Sequence, residues 1–171
     1  MMIALHNYLP KRFLFMADFY QLDMNRRIID FKDGRAYATR WAAREMAYSL
    51  SLVDLRDVMI VCMPASTRYS YIRRFKRFSE LLCSLCHAKN GFDMVHILWD
   101  REKKHTASDR GCISPISNVS IDAHIRGHKV LVIDDVCTTG ATANAFIDSL
   151  RAAGANVIGA LFLAKTVKVY S

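Results

Sequence analysis

Asp134 and Asp135 stand side by side at the end of an apolar run, within the stretch KVLVIDDVCTTGATANAF from Lys129 to Phe146. Directly behind them come Cys137, Thr138, Thr139, Gly140, Ala141 and Thr142, small or hydroxylated residues that lead into a helix-forming segment. Two carboxylates crowded at a buried strand end repel each other and lose hydration, so packing alone does not explain them. They call for hydroxyl donors, a divalent cation, or a nearby Lys or Arg. The turn behind them offers backbone N–H groups, Thr hydroxyls and a helix N-terminus, which together make an anion cradle. A ligand with vicinal hydroxyls next to a phosphate satisfies both halves, and a ribose 5-phosphate has that layout. A plain strand-to-helix junction capped by Thr138 or Thr139 is the bland alternative, and the paired acids in front weigh against it. The segment contains neither the G-x-x-x-x-G-K-[ST] of a P-loop nor a G-x-G-x-x-G dinucleotide turn.

The elements that must hold this turn can be read along the chain. The 171 residues are about one domain's worth, 52% apolar and 23% charged, which describes a globular chain with a real core. DVMIVCM (57–63) reads as a buried strand, closed by Pro64 and the small-residue loop ASTR; a helix over about 70–88 follows, then a strand DMVHILW (93–99). Residues 100–127 read as a long polar loop. The last third predicts a strand over 129–134, a turn over 135–141, a helix over 141–153 stopped by Gly154, and a strand over 156–163. AYATRWAAREMAYSLSL predicts a helix over 36–52, and RRIIDFKDGR (26–35) a short strand ending in an Asp-Gly turn. Apolar strands alternating with helices predict an α/β fold, a single domain with a central, mostly parallel sheet covered by helices. In such sheets ligands bind at the carboxyl ends of the strands, where Asp134 and Asp135 fall.

VLVIDDVCTTGAT resembles the phosphoribosyl-pyrophosphate (PRPP) binding motif of the type I phosphoribosyltransferases: two acids among apolar residues, then a T-G-x-T turn. Weaker likeness in IIDFKDGR, VCMPASTRYSYIRRFKRF and LRAAGANVIGALFLAKT is similar to the small competence-protein-F-like branch of that family, without the four-cysteine zinc ribbon that often begins those proteins. The resemblance implies that Asp134 and Asp135 meet the ribose hydroxyls and that Thr138, Thr139, Gly140, Ala141 and Thr142 hold the 5-phosphate. It assigns Ala65, Ser66, Thr67 and Arg68 to a pyrophosphate loop and residues 100–112 to a flexible lid, in which Lys103, Lys104 or His105 could close on the leaving group. The implied reaction displaces pyrophosphate from ribose C1 by a nitrogen nucleophile, with magnesium bound indirectly, through the ligand, near Asp134 and Asp135. In the 6-oxopurine branch the turn carries an Asp that assists at the purine ring; Thr138 stands at that position, which disfavours hypoxanthine or guanine as acceptor. The accessory hood that selects the base is expected to be small or absent, with residues 1–35 as its only source and 36–171 as the core. Family members often dimerise.

A net charge of +8 favours anionic partners. RYSYIRRFKRF (68–78) is open to three readings: a solvated helix face, a pyrophosphate contact through Arg68, or a nucleic-acid patch formed by Arg73, Arg74, Lys76 and Arg77. Phe75 and Phe78, on another face, are expected in the core. Five cysteines, an odd number without disulfide spacing, favour a reducing compartment, and no segment has the length of a signal or membrane span, so a cytoplasmic protein with no membrane partner is expected. The acceptor is not readable. Besides a magnesium-dependent enzyme, a non-catalytic PRPP or nucleotide sensor linked to DNA handling and a nucleotide-consuming toxin or defence effector stay open.

Overall fold

The computed structural model describes residues 1–100 and 116–167. In chain order the elements are β1 (Met2–Tyr8), α1 (Phe19–Lys32), α2 (Ala36–Ser49), β2 (Val58–Cys62), α3 (Arg68–Cys86), β3 (Lys89–Asn90), β4 (Val95–Ile97), β5 (Val119–Ile121), β6 (Lys129–Cys137), α4 (Ala141–Ala152) and β7 (Asn156–Thr166). Every residue of β2 is buried, as are Val130 through Ile133 of β6. Strands buried on both faces require a sheet covered on both sides. The five-stranded sheet, ordered β1-β7-β6-β2-β3, is parallel throughout. The fold is α/β, with helices flanking a central parallel sheet.

Connection handedness decides which face each helix covers. The path from β6 to β7 steps one way along the sheet, and the path from β2 to β3 steps the other way. Right-handed crossovers therefore put α4 on one face and α3 on the opposite one. The path from β1 to β2 runs in the same direction as β2 to β3, so α1 and α2 share the face of α3. Their packing agrees: α2 lies against both α1 and α3. Phe31 of α1 meets Phe75 and Phe78 of α3 with ring centroids 6.1 and 5.0 Å apart. All three rings are buried, each contributing about 1.5–3 kcal/mol relative to exposure.

Local chemistry sets the ends of these helices. The Asp18 carboxylate accepts the Gln21 N–H at 2.7 Å and starts α1; the Thr67 hydroxyl accepts the Ser70 N–H at 3.0 Å and starts α3. Gly34 follows α1 at φ +71°, and a Cβ there would lie 2.7 Å from the Arg73 carbonyl oxygen. Glycine is thus what lets the end of α1 press against α3.

Three expectations need correction. Residues 26–32 are helix, not strand: Met24, Ile28 and Phe31 fall on one buried face, and Arg27 pairs with Asp23 one turn back at 2.7 Å. The β-branched Ile29 beside Ile28 mimicked a strand, while the Asp33-Gly34 turn stands where the sequence put it. The strand expected over 93–99 shrinks to β4, which leaves the main sheet and pairs antiparallel with β5, inside the stretch expected to be loop. Its alternation, Val95 and Ile97 buried around exposed His96, is that of a half-covered ribbon. β6 runs on through both acids to Cys137, because β7 continues to Thr166 and pairs Cys137 with Lys165. The N-terminal segment, unassigned from sequence, supplies β1, which pairs with β7 at the sheet edge.

Candidate active site

The two loops singled out in the sequence emerge next to each other. β2 and β6 are paired neighbours, with Cys62 opposite Ile133, and the Met63 N–H donates to the Ile133 carbonyl at 2.8 Å. Between these strands the direction of winding reverses: the chain leaves β2 for one face and β6 for the other. Such a reversal opens a crevice at the carboxyl ends of the strands, the usual ligand position in open α/β sheets. Ala65, Ser66, Thr67 and Arg68 flank one side of it, and Thr138 to Thr142 the other. Asp134 and Asp135 close its floor.

Successive side chains of a strand point to opposite faces, so the two acids do not share a side. Asp135 lies on the face of α1 and α3, and its carboxylate is buried. Its Oδ2 is 2.6 Å from Arg74 Nη1 and its Oδ1 is 3.7 Å from Lys32 Nζ. The Arg74 contact is an ion pair without hydrogen-bond alignment, so Oδ2 has no hydrogen-bond donor among the described residues. Oδ1 also accepts the Val136 N–H at 2.5 Å. Asp134 has no ion-pair partner among the described residues; its Oδ1 accepts the Asp135 N–H at 2.8 Å. Burial, and then the neighbouring Asp135 carboxylate, push Asp134 up to about 8. By area Asp134 is only partly covered. Both causes act in the same direction, and Arg74 and Lys32 offset them in part.

Gly140 sits at φ +81° at the head of α4, a conformation that side-chain-bearing residues avoid. The Ala141 N–H donates to the Thr139 hydroxyl at 3.3 Å, and Thr138, Thr139, Ala141 and Thr142 are exposed. A cavity of about 260 Å³ lies against this turn, walled by Met2, Ala4, Phe162 and Lys165. On the other side of the crevice, Thr67 caps α3 and the Arg68 N–H donates to the Asp100 carboxylate at 2.9 Å. Arg68 itself is exposed. Lys103, Lys104 and His105, with most of the expected lid, lie outside the described residues.

The basic helix is divided. Phe75 and Phe78 are core, as their spacing indicated. Arg74, expected on a nucleic-acid face, turns inward to Asp135, and Arg73 pairs with Asp33 at 3.8 Å. Lys76 and Arg77 are exposed, Arg77 in a pair with Glu80 at 3.1 Å. Of the four cations, Lys76 alone has no ion pair among the described residues.

Residues 42–168 match the model of the phosphoribosyl transferase domain. The chain belongs to that family. Among curated proteins, the adenine phosphoribosyltransferase of Maricaulis maris (strain MCS10) is 47% identical over 45 residues, which cover 26% of this chain and 26% of that protein. The adenine phosphoribosyltransferase of Salinispora tropica is 53% identical over 38 residues, covering 22% and 20%. The matched stretches thus span about a quarter or less of these curated relatives' length. Among solved structures, the Leishmania donovani UMP synthase aligns at 20% identity with a TM-score of 0.46, covering 75% of this chain and 22% of that one. A hypoxanthine-guanine-xanthine phosphoribosyltransferase aligns at 16% identity with a TM-score of 0.36, covering 82% and 69%.

In this phosphoribosyl transferase domain chain, Lys32 and Lys165 escaped the sequence reading, and Arg74 was read only as part of the basic helix. Lys32 sits just before the Asp-Gly turn, Arg74 is one cation in a run of them, and Lys165 is a lone cation in the apolar strand FLAKT. Only Lys165 carried a signal: a single charge directly after the apolar, buried run from Ala160 to Ala164. The other two depend on how α1 and α3 pack across the sheet.

Proposed function

We propose that this chain binds PRPP and transfers its 5-phosphoribosyl group to a nitrogen nucleophile, releasing pyrophosphate. The observation that carries the reading is that the Ala65–Arg68 loop and the Thr138–Thr142 turn leave adjacent strands on either side of the winding reversal, with the acid pair between them. In this reading Thr138, Thr139, Gly140, Ala141 and Thr142 hold the 5-phosphate, with the α4 N-terminus behind them. Of the acid pair, Asp134 meets the ribose hydroxyls, with Asp135 beside it. Ala65, Ser66, Thr67 and Arg68 hold the pyrophosphate, and Lys103, Lys104 and His105 are proposed to close over it.

No group of three His, Cys, Asp or Glu side chains gathers among the described residues, and Asp135 is already committed to cations. The donor set therefore fits magnesium as a companion of the ligand, held mostly by ligand oxygens, with Asp134 beside it. When bound, magnesium would neutralise charge on the departing pyrophosphate. What the chain itself supplies is orientation of ribose and phosphates, and donors aimed at the developing charge.

The relatives' names make adenine the first acceptor to test, and Thr138, in place of an acid, agrees with a base other than a 6-oxopurine. The upstream likeness supports placement in the competence-protein-F-like branch. Cys62, Cys83, Cys86 and Cys137 are free thiols among the described residues, which supports a reducing compartment such as the cytoplasm. Among the described residues no helix is long and apolar enough to cross a membrane.

The test is titration of the chain with PRPP and magnesium, followed by pyrophosphate release against adenine and a wider base panel. Binding and turnover support the reading, and absence of binding overturns it. Binding without turnover across the panel would replace the enzyme with a PRPP sensor.

A further inference from the structure

We infer that Arg74 and Lys32 are positioning residues for the acid pair: they hold the Asp135 carboxylate toward the α1–α3 face, leaving Asp134 as the acid presented to ligand. This rests on the reading of the crevice as a PRPP site. Asp135 is 4% exposed, and a carboxylate that deep is unfavourable unless cations accompany it. The two cations come from different helices and converge on different oxygens, Arg74 at 2.6 Å and Lys32 at 3.7 Å. Arg74 is itself tied down, its Nε–H donating to the Lys32 carbonyl at 3.4 Å. Lys32 Nζ also stands 5.5 Å from the Tyr8 ring centroid, linking the end of β1 to the acid pair. Lys32 precedes the residues matched by the family model, so the N-terminal segment contributes a side chain to the acid pair. Asp134, by contrast, points to the other face and has no ion-pair partner among the described residues.

If Arg74 acts through Asp135, its removal must matter only while Asp135 carries a charge. The full chain is titrated with PRPP and magnesium in wild type, Arg74→Met, Arg74→Lys, Lys32→Met, Asp135→Asn and the combinations with Asp135→Asn. Arg74→Met is expected to weaken binding about tenfold alone and less than about twofold in the Asp135→Asn background, with Arg74→Lys recovering most of the loss. Lys32→Met follows the same pattern with a smaller effect, and keeps the test open should Arg74→Met not fold. Equal losses in both backgrounds would mean that these residues act through helix packing or touch ligand directly, and would overturn the inference alone. Wild type failing to bind PRPP would overturn the site reading and this inference with it.

Discussion

The Met63 N–H donates to the Ile133 carbonyl at 2.8 Å, one step beyond the last paired residues of β2 and β6. This bond keeps the two central strands together up to the level of Asp134, so the loops that leave them diverge from a fixed point. Both sides of the crevice inherit their spacing from it.

The acid pair makes stability depend on pH. Asp134 is raised in the folded chain from 3.8 to about 8, so the folded state keeps a proton that the unfolded chain releases earlier. That contribution is fully present below 3.8 and is lost as pH rises toward and through about 8. For the ligand-free chain, the thermal midpoint is expected to fall between pH 5 and 8, and Asp134→Asn to flatten the decline. Calorimetric melts at stepped pH check this; parallel curves for the two proteins would refute it.

Gly140 tests the turn. A Cβ there would find 3.6 Å to Met2 Sδ and 3.8 Å to Cys137 Sγ, so space is available and the penalty is conformational, from φ +81°. Gly140→Ala is expected to lower stability by about 1–2 kcal/mol in chemical denaturation. PRPP affinity should fall as well, because the backbone N–H groups of the turn are re-aimed.

Thr67 starts the helix that carries both Arg68 and Arg74. Thr67→Ala removes the acceptor for the Ser70 N–H and is expected to cost about 1 kcal/mol. Thr67→Ser should restore it, as measured by urea midpoint.

Lys165 lines the cavity beside the Thr/Gly turn, with its Cα opposite Cys137 across the strand pair. Lys165→Gln is expected to weaken PRPP binding several-fold at low ionic strength and to reduce the salt dependence of that binding, since exposed charges are screened within about 8–10 Å. An unchanged affinity and salt slope would place Lys165 outside the ligand's field.

The strands, helices and loops of the last third were legible because each local signal agreed with the fold: a β-branched apolar run, a Thr/Gly turn, an amphipathic helix and Gly154. The acid pair and the turn were legible for the same reason, since neighbours in sequence stay neighbours in space. The first 35 residues were not, because Ile28-Ile29 reads as strand until Met24 and Phe31 are seen on the same buried face. β4 was misplaced because an apolar segment does not state which sheet it joins.

The partner of Asp135 was beyond the sequence altogether. By itself the sequence determined that two carboxylates stand before a Thr/Gly turn. Tertiary structure decided that they point to opposite faces and that, among the described residues, cations hold Asp135 and not Asp134. Arg74 lies 61 positions from Asp135 in the chain and Lys32 lies 103. Only the right-handed winding of α1 and α3 onto the same face of β6 brings those charges within reach.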